Sequence, residues 1–132
     1  MPDPEKKYKI LIIDDDAFIL SMYVSKFQKS GHEVDTARSG GEALSKIKEG
    51  FAPNVILIDI VLPDVNGLDF LSNLRSENLV PDAICVMFTN QNSDQETDRA
   101  KSLGVAGYII KANLIPSEVV TKVLAVADNF KR

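Results

Sequence analysis

The sequence has no tryptophan, one cysteine and one histidine in 132 residues. A single cysteine excludes an internal disulfide, and Cys85 lies inside an apolar run, where a buried, inert thiol is expected. Long hydrophobic runs are missing too. No stretch approaches the ~20 residues needed to span a bilayer, and the short apolar segment 10–13 is stopped at once by three aspartates, which is not the pattern of a signal peptide. Basic charge is neither in excess nor clustered. Fifteen Lys and Arg against nineteen Asp and Glu give a net charge of -4, which disfavours nucleic acid as a direct partner and offers anionic lipid no attraction. His32, in a loop after Gly31, is expected to be solvated. A reducing, cytoplasmic setting fits these absences, with no membrane association expected.

What is present is ordered. Residues 1–9 are polar, carry two prolines and read as a disordered lead-in to one domain over 10–130. Three aliphatic runs read as strands buried on both faces, at 10–13, at 54–59 and at 83–88. Residues 33–37 alternate polar and apolar, which suits an edge strand, and 108–110 form a fifth strand. Between them lie helical patterns. Asp16 caps a helix carrying Ile19, Met22, Tyr23 and Phe27 at helical spacing, with Gly31 as its stop. Residues 40–48 form a second helix, Asn66-Gly67 opens a third, and a fourth ends near Leu103. Pro116 starts a fifth, whose apolar residues cover more than one face and so suit either extra core or a partner surface. Strands alternating with helices must run parallel, with helices on both faces. The expected fold class is α/β: a doubly wound, five-stranded parallel sheet in the order 2-1-3-4-5.

Parallel strands point their carboxyl ends to one edge. Asp14 and Asp15 follow strand one, Asp59 ends strand three, Thr89 follows strand four and Lys111 follows strand five. In this strand order the first and third strands are neighbours, and their boundary is the crevice where such sheets bind ligands. Like charges gathered there cost about 4 kcal/mol per pair at ~4 Å and an effective dielectric of 20, so a cation is expected among them. The donors on offer are oxygens, which selects a hard ion, Mg²⁺ above others. A carboxylate beside such an ion can attack phosphorus and form an acyl phosphate, and Asp59 is the expected nucleophile. Thr89 supplies a hydroxyl, and Lys111 a positive charge, for the phosphoryl oxygens.

From Tyr8 to Phe130 the chain resembles the receiver domain of bacterial two-component response regulators, with the flavodoxin-like fold of the chemotaxis regulators. The matching pieces are Ile12-Ile13-Asp14-Asp15, Ile58-Asp59, Leu62-Pro63 with Asn66-Gly67, Thr89, and Gly107-Tyr108-Ile109-Ile110-Lys111. The resemblance implies phosphoryl transfer from a histidine kinase or phosphotransfer protein to Asp59. It implies Mg²⁺ held by Asp15 and Asp59 directly, by Asp14 through water and by the backbone carbonyl of Val61. It further implies that Thr89 moves toward the phosphoryl group and lets Tyr108 swing inward. That remodels the face of the fourth helix, fifth strand and fifth helix, where a downstream partner, an output domain or a weak homodimer contact would sit; otherwise the chain is a monomer.

Three positions depart from the pattern: Ala112 replaces the usual proline, Asn90 a small residue whose enlargement narrows access to the site, and Asn66 an aspartate. None removes a reacting group. A pseudo-receiver that signals only by binding, independently of phosphorylation, is the alternative that Asn90 and Ala112 suggest. An enzyme acting on a separate metabolite is not expected, because the continuation of a dehalogenase-type phosphatase motif is absent at Ala17-Phe18. With no segment that reads as an output domain, the chain is expected to be a free-standing regulator or a receiver cut from a longer protein.

Overall fold

The structure is a computed structural model, and it describes residues 6–130. Its sheet has five strands: β1 (Lys9–Ile13), β2 (Glu33–Ala37), β3 (Val55–Ile58), β4 (Ile84–Thr89) and β5 (Gly107–Ile110). They lie in the order β2-β1-β3-β4-β5, all neighbours parallel. The connecting helices are α1 (Ala17–Lys29), α2 (Gly40–Lys48), α3 (Gly67–Ser76), α4 (Asp94–Ser102) and α5 (Pro116–Asn129), with a short 3-10 turn at Lys111–Asn113.

The sheet is buried on both sides, and the period of two along each strand divides its residues between two cores. Ile10, Ile12, Val55, Leu57, Val86 and Phe88 face Leu20, Tyr23 and Phe27 of α1 and Val119, Val123 and Leu124 of α5. Leu11, Ile13, Ile56, Ile58, Cys85 and Met87 face Ile47 of α2, Leu71 and Leu74 of α3 and Ala100 of α4. Fully burying each of these aliphatic side chains stabilises the fold by about 1.5–3 kcal/mol. Cys85 is 1% exposed, in keeping with an inert thiol. Most of the apolar surplus of α5 is core: Val119, Val120, Val123, Leu124 and Ala127 are buried, whereas Val126 and Phe130 stay half exposed.

Local signals set the helix ends. Asp16 accepts hydrogen bonds from the N–H groups of Phe18 and Ile19, Ser39 from Glu42, and Asn66 from Leu68. Ser93 and Glu96 form a reciprocal capping box at the start of α4. Gly31 and Gly50, in left-handed conformation at φ 89° and 114°, turn the chain after α1 and α2.

Three expectations need correction. Residues 1–5 of the anticipated lead-in lie outside the described residues, but Tyr8 and Lys9 are built into the fold. Lys9 opens β1, and the Tyr8 N–H donates to His32 Nδ1 at 3.0 Å. His32 is therefore not solvated: it is 8% exposed, stacked on Tyr8 with ring centroids 5.5 Å apart and set edge-on to Phe27. Third, the pairing of β3 stops at Ile58, leaving Asp59 just past the end of the strand rather than inside it.

Candidate functional site

Asp14 and Asp59 are each held by the backbone of the neighbouring strand. The Asp14 N–H donates to the carbonyl of Ala37 at 3.0 Å, and the Asp59 N–H to the carbonyl of Ile13 at 3.1 Å. The carboxylates of Asp14, Asp15 and Asp59 each bring one oxygen within 4.8 Å of the others, at the crevice between β1 and β3. Asp14 and Asp59 are buried, while Asp15 faces solvent.

Lys111 reaches into this group from the turn after β5. Its Nζ lies 2.5 Å from Asp14 Oδ2 and 2.7 Å from Asp59 Oδ2. It also stands 5.3 Å from the centroid of the Phe88 ring, whose face favours a cation. The other oxygen of Asp14 accepts the Asp16 N–H at 2.9 Å, and the other oxygen of Asp59 the Val61 N–H at 3.2 Å. Asp14 Oδ2 is enclosed. Its close polar contact is the lysine ammonium, which it shares with Asp59.

Charge and burial compete here. Burial pushes the Asp14 carboxyl above its usual range; the Lys111 ammonium and the Asp16 N–H pull it back, and the Asp59 charge pushes it up again. Burial works against the Lys111 cation, but contact with Asp14 and Asp59 outweighs it and holds the ammonium above its ordinary value. One lysine cannot balance three acids. A small hard cation fits a donor set made wholly of carboxylate oxygens, two of the three residues buried and sharing a single lysine.

The rest of the expected set is near but differently engaged. Thr89 is fully buried at the end of β4, and its Oγ1 accepts the Gln91 N–H at 3.2 Å. Tyr108, half-buried on β5, donates its hydroxyl proton to the Gln91 carbonyl. Val61 sits on the loop after Asp59, paired with Asn66 across the loop. Asn90 turns its side-chain oxygen to the Ala112 N–H at 2.9 Å.

Sequence reasoning missed several supports of the site. Asp64 accepts hydrogen bonds from Gly40 and Gly41 at 2.9 and 2.8 Å, tying the loop after β3 to the start of α2. Those bonds hold its carboxyl below the ordinary range. Gly67 is needed for close approach: a Cβ there would lie 2.1 Å from the carbonyl oxygen of Asp59. An Asn-Gly pair signals a turn, but neither that pair nor a lone Asp64 signals which backbone it will meet.

The fold and site define a class: a doubly wound α/β domain with an acidic cluster, a lysine and a threonine at the carboxyl edge of its sheet. The chain matches the response regulator receiver domain family over residues 10–123, and it belongs to that family. It is 37% identical over 106 residues to a protein-glutamate methylesterase/protein-glutamine glutaminase of Bacillus licheniformis, covering 78% of this chain and 29% of that protein. It is 28% identical over 123 residues to the response regulator SaeR of Staphylococcus aureus, covering 93% of this chain and 52% of SaeR. The chain thus spans about half or less of the length of these relatives. Among solved structures it is similar to a CheY-like receiver domain protein from Methanospirillum hungatei, with a TM-score of 0.83 and 31% identity over 93% of this chain and 95% of that one. It is also similar to the chemotaxis protein CheY4 of Vibrio cholerae, with a TM-score of 0.81 and 27% identity over 92% of this chain and 99% of that one.

Proposed function

We propose that this receiver domain, residues 10–130, is a phosphorylation-controlled signalling module that accepts a phosphoryl group on Asp59. The observation that carries the reading is the contact of Lys111 Nζ with Asp59 Oδ2 at 2.7 Å inside the three-carboxylate cluster. It combines an acceptor oxygen, a fixed cation and a set of metal-binding oxygens in one crevice. Asp15 and Asp59, with the Val61 carbonyl, would hold Mg²⁺ directly and Asp14 through water. Bound there, the ion would neutralise the charge of the incoming phosphoryl oxygens.

In the transfer, an oxygen of Asp59 forms a bond to phosphorus as the P–N bond of a phosphohistidine breaks. The electron pair of that bond leaves with the imidazole nitrogen. Lys111, already beside Asp59, shifts its ammonium onto a phosphoryl oxygen, and Thr89, whose oxygen accepts the Gln91 N–H, donates its own hydroxyl proton to another. Because Gln91 also receives the Tyr108 hydroxyl, movement of Thr89 is transmitted to that ring. The α4, β5 and α5 face then changes shape for a downstream protein, an output domain or a second copy.

The phosphodonor is a histidine kinase or phosphotransfer protein. Phe18, Val61 and Ile115 are the exposed large apolar side chains among the described residues, at 77%, 55% and 62%. All three lie on segments that follow strand ends at the acidic edge, where exposed apolar side chains suit the docking of that donor. No helix among the described residues is long and apolar enough to cross a membrane, and we place the module in the cytoplasm.

The protein acts on itself rather than on a separate metabolite. Incubation with Mg²⁺ and acetyl phosphate or phosphoramidate tests the reading. A base-labile adduct that mass spectrometry maps to Asp59, and that Asp59→Asn abolishes, is expected. No adduct would overturn it in favour of the phosphorylation-independent interaction module.

A further inference from the structure

Two of the three departures from the family pattern meet in the structure. Thr89 and Ile110 are the last paired residues of the β4–β5 ladder. Beyond them the backbones separate, β4 into the loop leading to α4 and β5 into the 3-10 turn Lys111–Asn113. That turn has no side-chain cap from its own flanking residue, Ile110. The cap comes instead from the first residue past the neighbouring strand: Asn90 Oδ1 accepts the Ala112 N–H at 2.9 Å. The side-chain amide thus extends the ladder by one rung where the backbone carbonyls no longer reach.

We propose that Asn90 is a positioning residue for Lys111, acting through Ala112; this rests on the phosphoacceptor role argued for Asp59. Asn90 touches no reacting atom. It fixes the residue that follows Lys111, and so the direction in which the lysine leaves the turn. The ammonium must then thread between Asp14 Oδ2 at 2.5 Å and Asp59 Oδ2 at 2.7 Å, where a small misplacement forfeits much of the electrostatic help. A proline at 112 has no N–H to give. Asn90 and Ala112 therefore work as a pair, and the asparagine keeps this partner only where residue 112 is not proline. The neighbouring contacts have the same effect: the Tyr108 hydroxyl holds the Gln91 carbonyl, so the β4–α4 loop is fastened to both ends of β5.

Because both residues are exposed, the bond adds little to global stability, which separates a positioning role from a structural one. The test uses Asn90→Ala, Ala112→Pro and the double variant, with phosphoramidate and Mg²⁺, following adduct formation on Asp59 across donor concentrations. Asn90→Ala is expected to lower the maximal rate by about 3- to 10-fold, in the range of one net hydrogen bond. The donor concentration giving half-maximal rate and the melting temperature should change little. In the Ala112→Pro background, Asn90→Ala should cost nothing further. Amide exchange reads the contact directly: the Ala112 N–H should lose protection in Asn90→Ala and keep it in Asn90→Asp, which retains an acceptor oxygen. This arm holds even if the proline variant fails to fold.

An unchanged maximal rate in Asn90→Ala, independent losses in the double variant, or an Ala112 amide indifferent to residue 90 would each overturn the inference while leaving the Asp59 role standing. A wild-type protein that forms no adduct overturns the Asp59 role itself, and the positioning role with it.

Discussion

The ammonium of Lys111 stands 2.7 Å from Oδ2 of Asp59, although 52 residues separate them in the chain. The lysine side chain is 14% exposed and its two acidic partners, Asp14 and Asp59, 1% and 9%. Removing it leaves two buried carboxylates facing each other uncompensated. Lys111→Met is expected to lower unfolding stability by about 3 kcal/mol in the presence of a chelator, the low end for breaking a buried ion pair. A divalent cation should restore part of the loss, and adduct formation should slow by at least about tenfold. Denaturant titration with and without Mg²⁺ measures the first effect and phosphoramidate kinetics the second.

Asp14→Asn should act in the opposite sense. Burial raises the Asp14 carboxyl above its unfolded value, so its ionised form opposes folding at neutral pH. For an acid raised in this way, the stabilising contribution is present at low pH and lost as pH climbs through the folded value. Substituting asparagine leaves Lys111 and Asp59 as a one-to-one pair. In chelator at neutral pH the melting temperature should rise, and the gain should shrink on acidification. A fall in melting temperature would mean that the Asp14–Lys111 attraction outweighs the burial cost. Divalent binding should weaken in the same variant.

Gly67→Ala probes the packing beneath the nucleophile. The new methyl would fall 2.1 Å from the Asp59 carbonyl oxygen and 3.0 Å from Ile60 Cα, both backbone atoms with little room to yield. Either the start of α3 or the Asp59 backbone must shift. A destabilisation of about 1–3 kcal/mol is expected, as for other overpacked sites. Adduct formation should slow as well, whereas Gly50→Ala, with nothing within 4 Å of its Cβ, should be free of that kinetic effect. Equilibrium unfolding and adduct kinetics of both variants check this.

His32 gives a pH dependence at a distance from the site. Burial and the charge of Lys7 hold its imidazole below the ordinary value, against the pull of Asp128. The neutral ring accepts the Tyr8 N–H at Nδ1, and a proton there would break that bond. A base whose folded value is lowered contributes stability that is present above its unfolded value, about 6.5, and lost as pH falls toward the folded value. His32→Asn keeps an acceptor oxygen but cannot titrate in this range. Melting curves should therefore drop more steeply for wild type than for His32→Asn as pH goes below about 6.5.

Most of the scaffold was legible because aliphatic runs ending in polar residues constrain an α/β sheet tightly. The strand order, the parallel pairing and the meeting of Asp14, Asp15, Asp59 and Lys111 all follow from where those runs stop. Contacts decided by three-dimensional neighbours were not legible. His32 looked solvated because its burial comes from Tyr8 and Phe27, neither next to it in sequence. The contact of Asn90 was hidden because its partner, Ala112, lies 22 residues on and offers only a backbone N–H, which no side-chain pattern reveals. Gly67 read as a turn former, whereas its missing side chain clears space for the Asp59 carbonyl.

The Tyr8 hydroxyl donates a hydrogen bond to the Asp128 carboxylate, and this clasp has a practical corollary. It brings the segment entering β1 and the last turn of α5 together on the rim farthest from the acids, because strands and returning helices run in opposite senses. A tether, dye or affinity handle attached beyond either of those points leaves the reactive mouth facing outward. Splicing the two together and opening the chain elsewhere, as at the exposed Gly50, should yield a permuted protein whose crevice is unchanged.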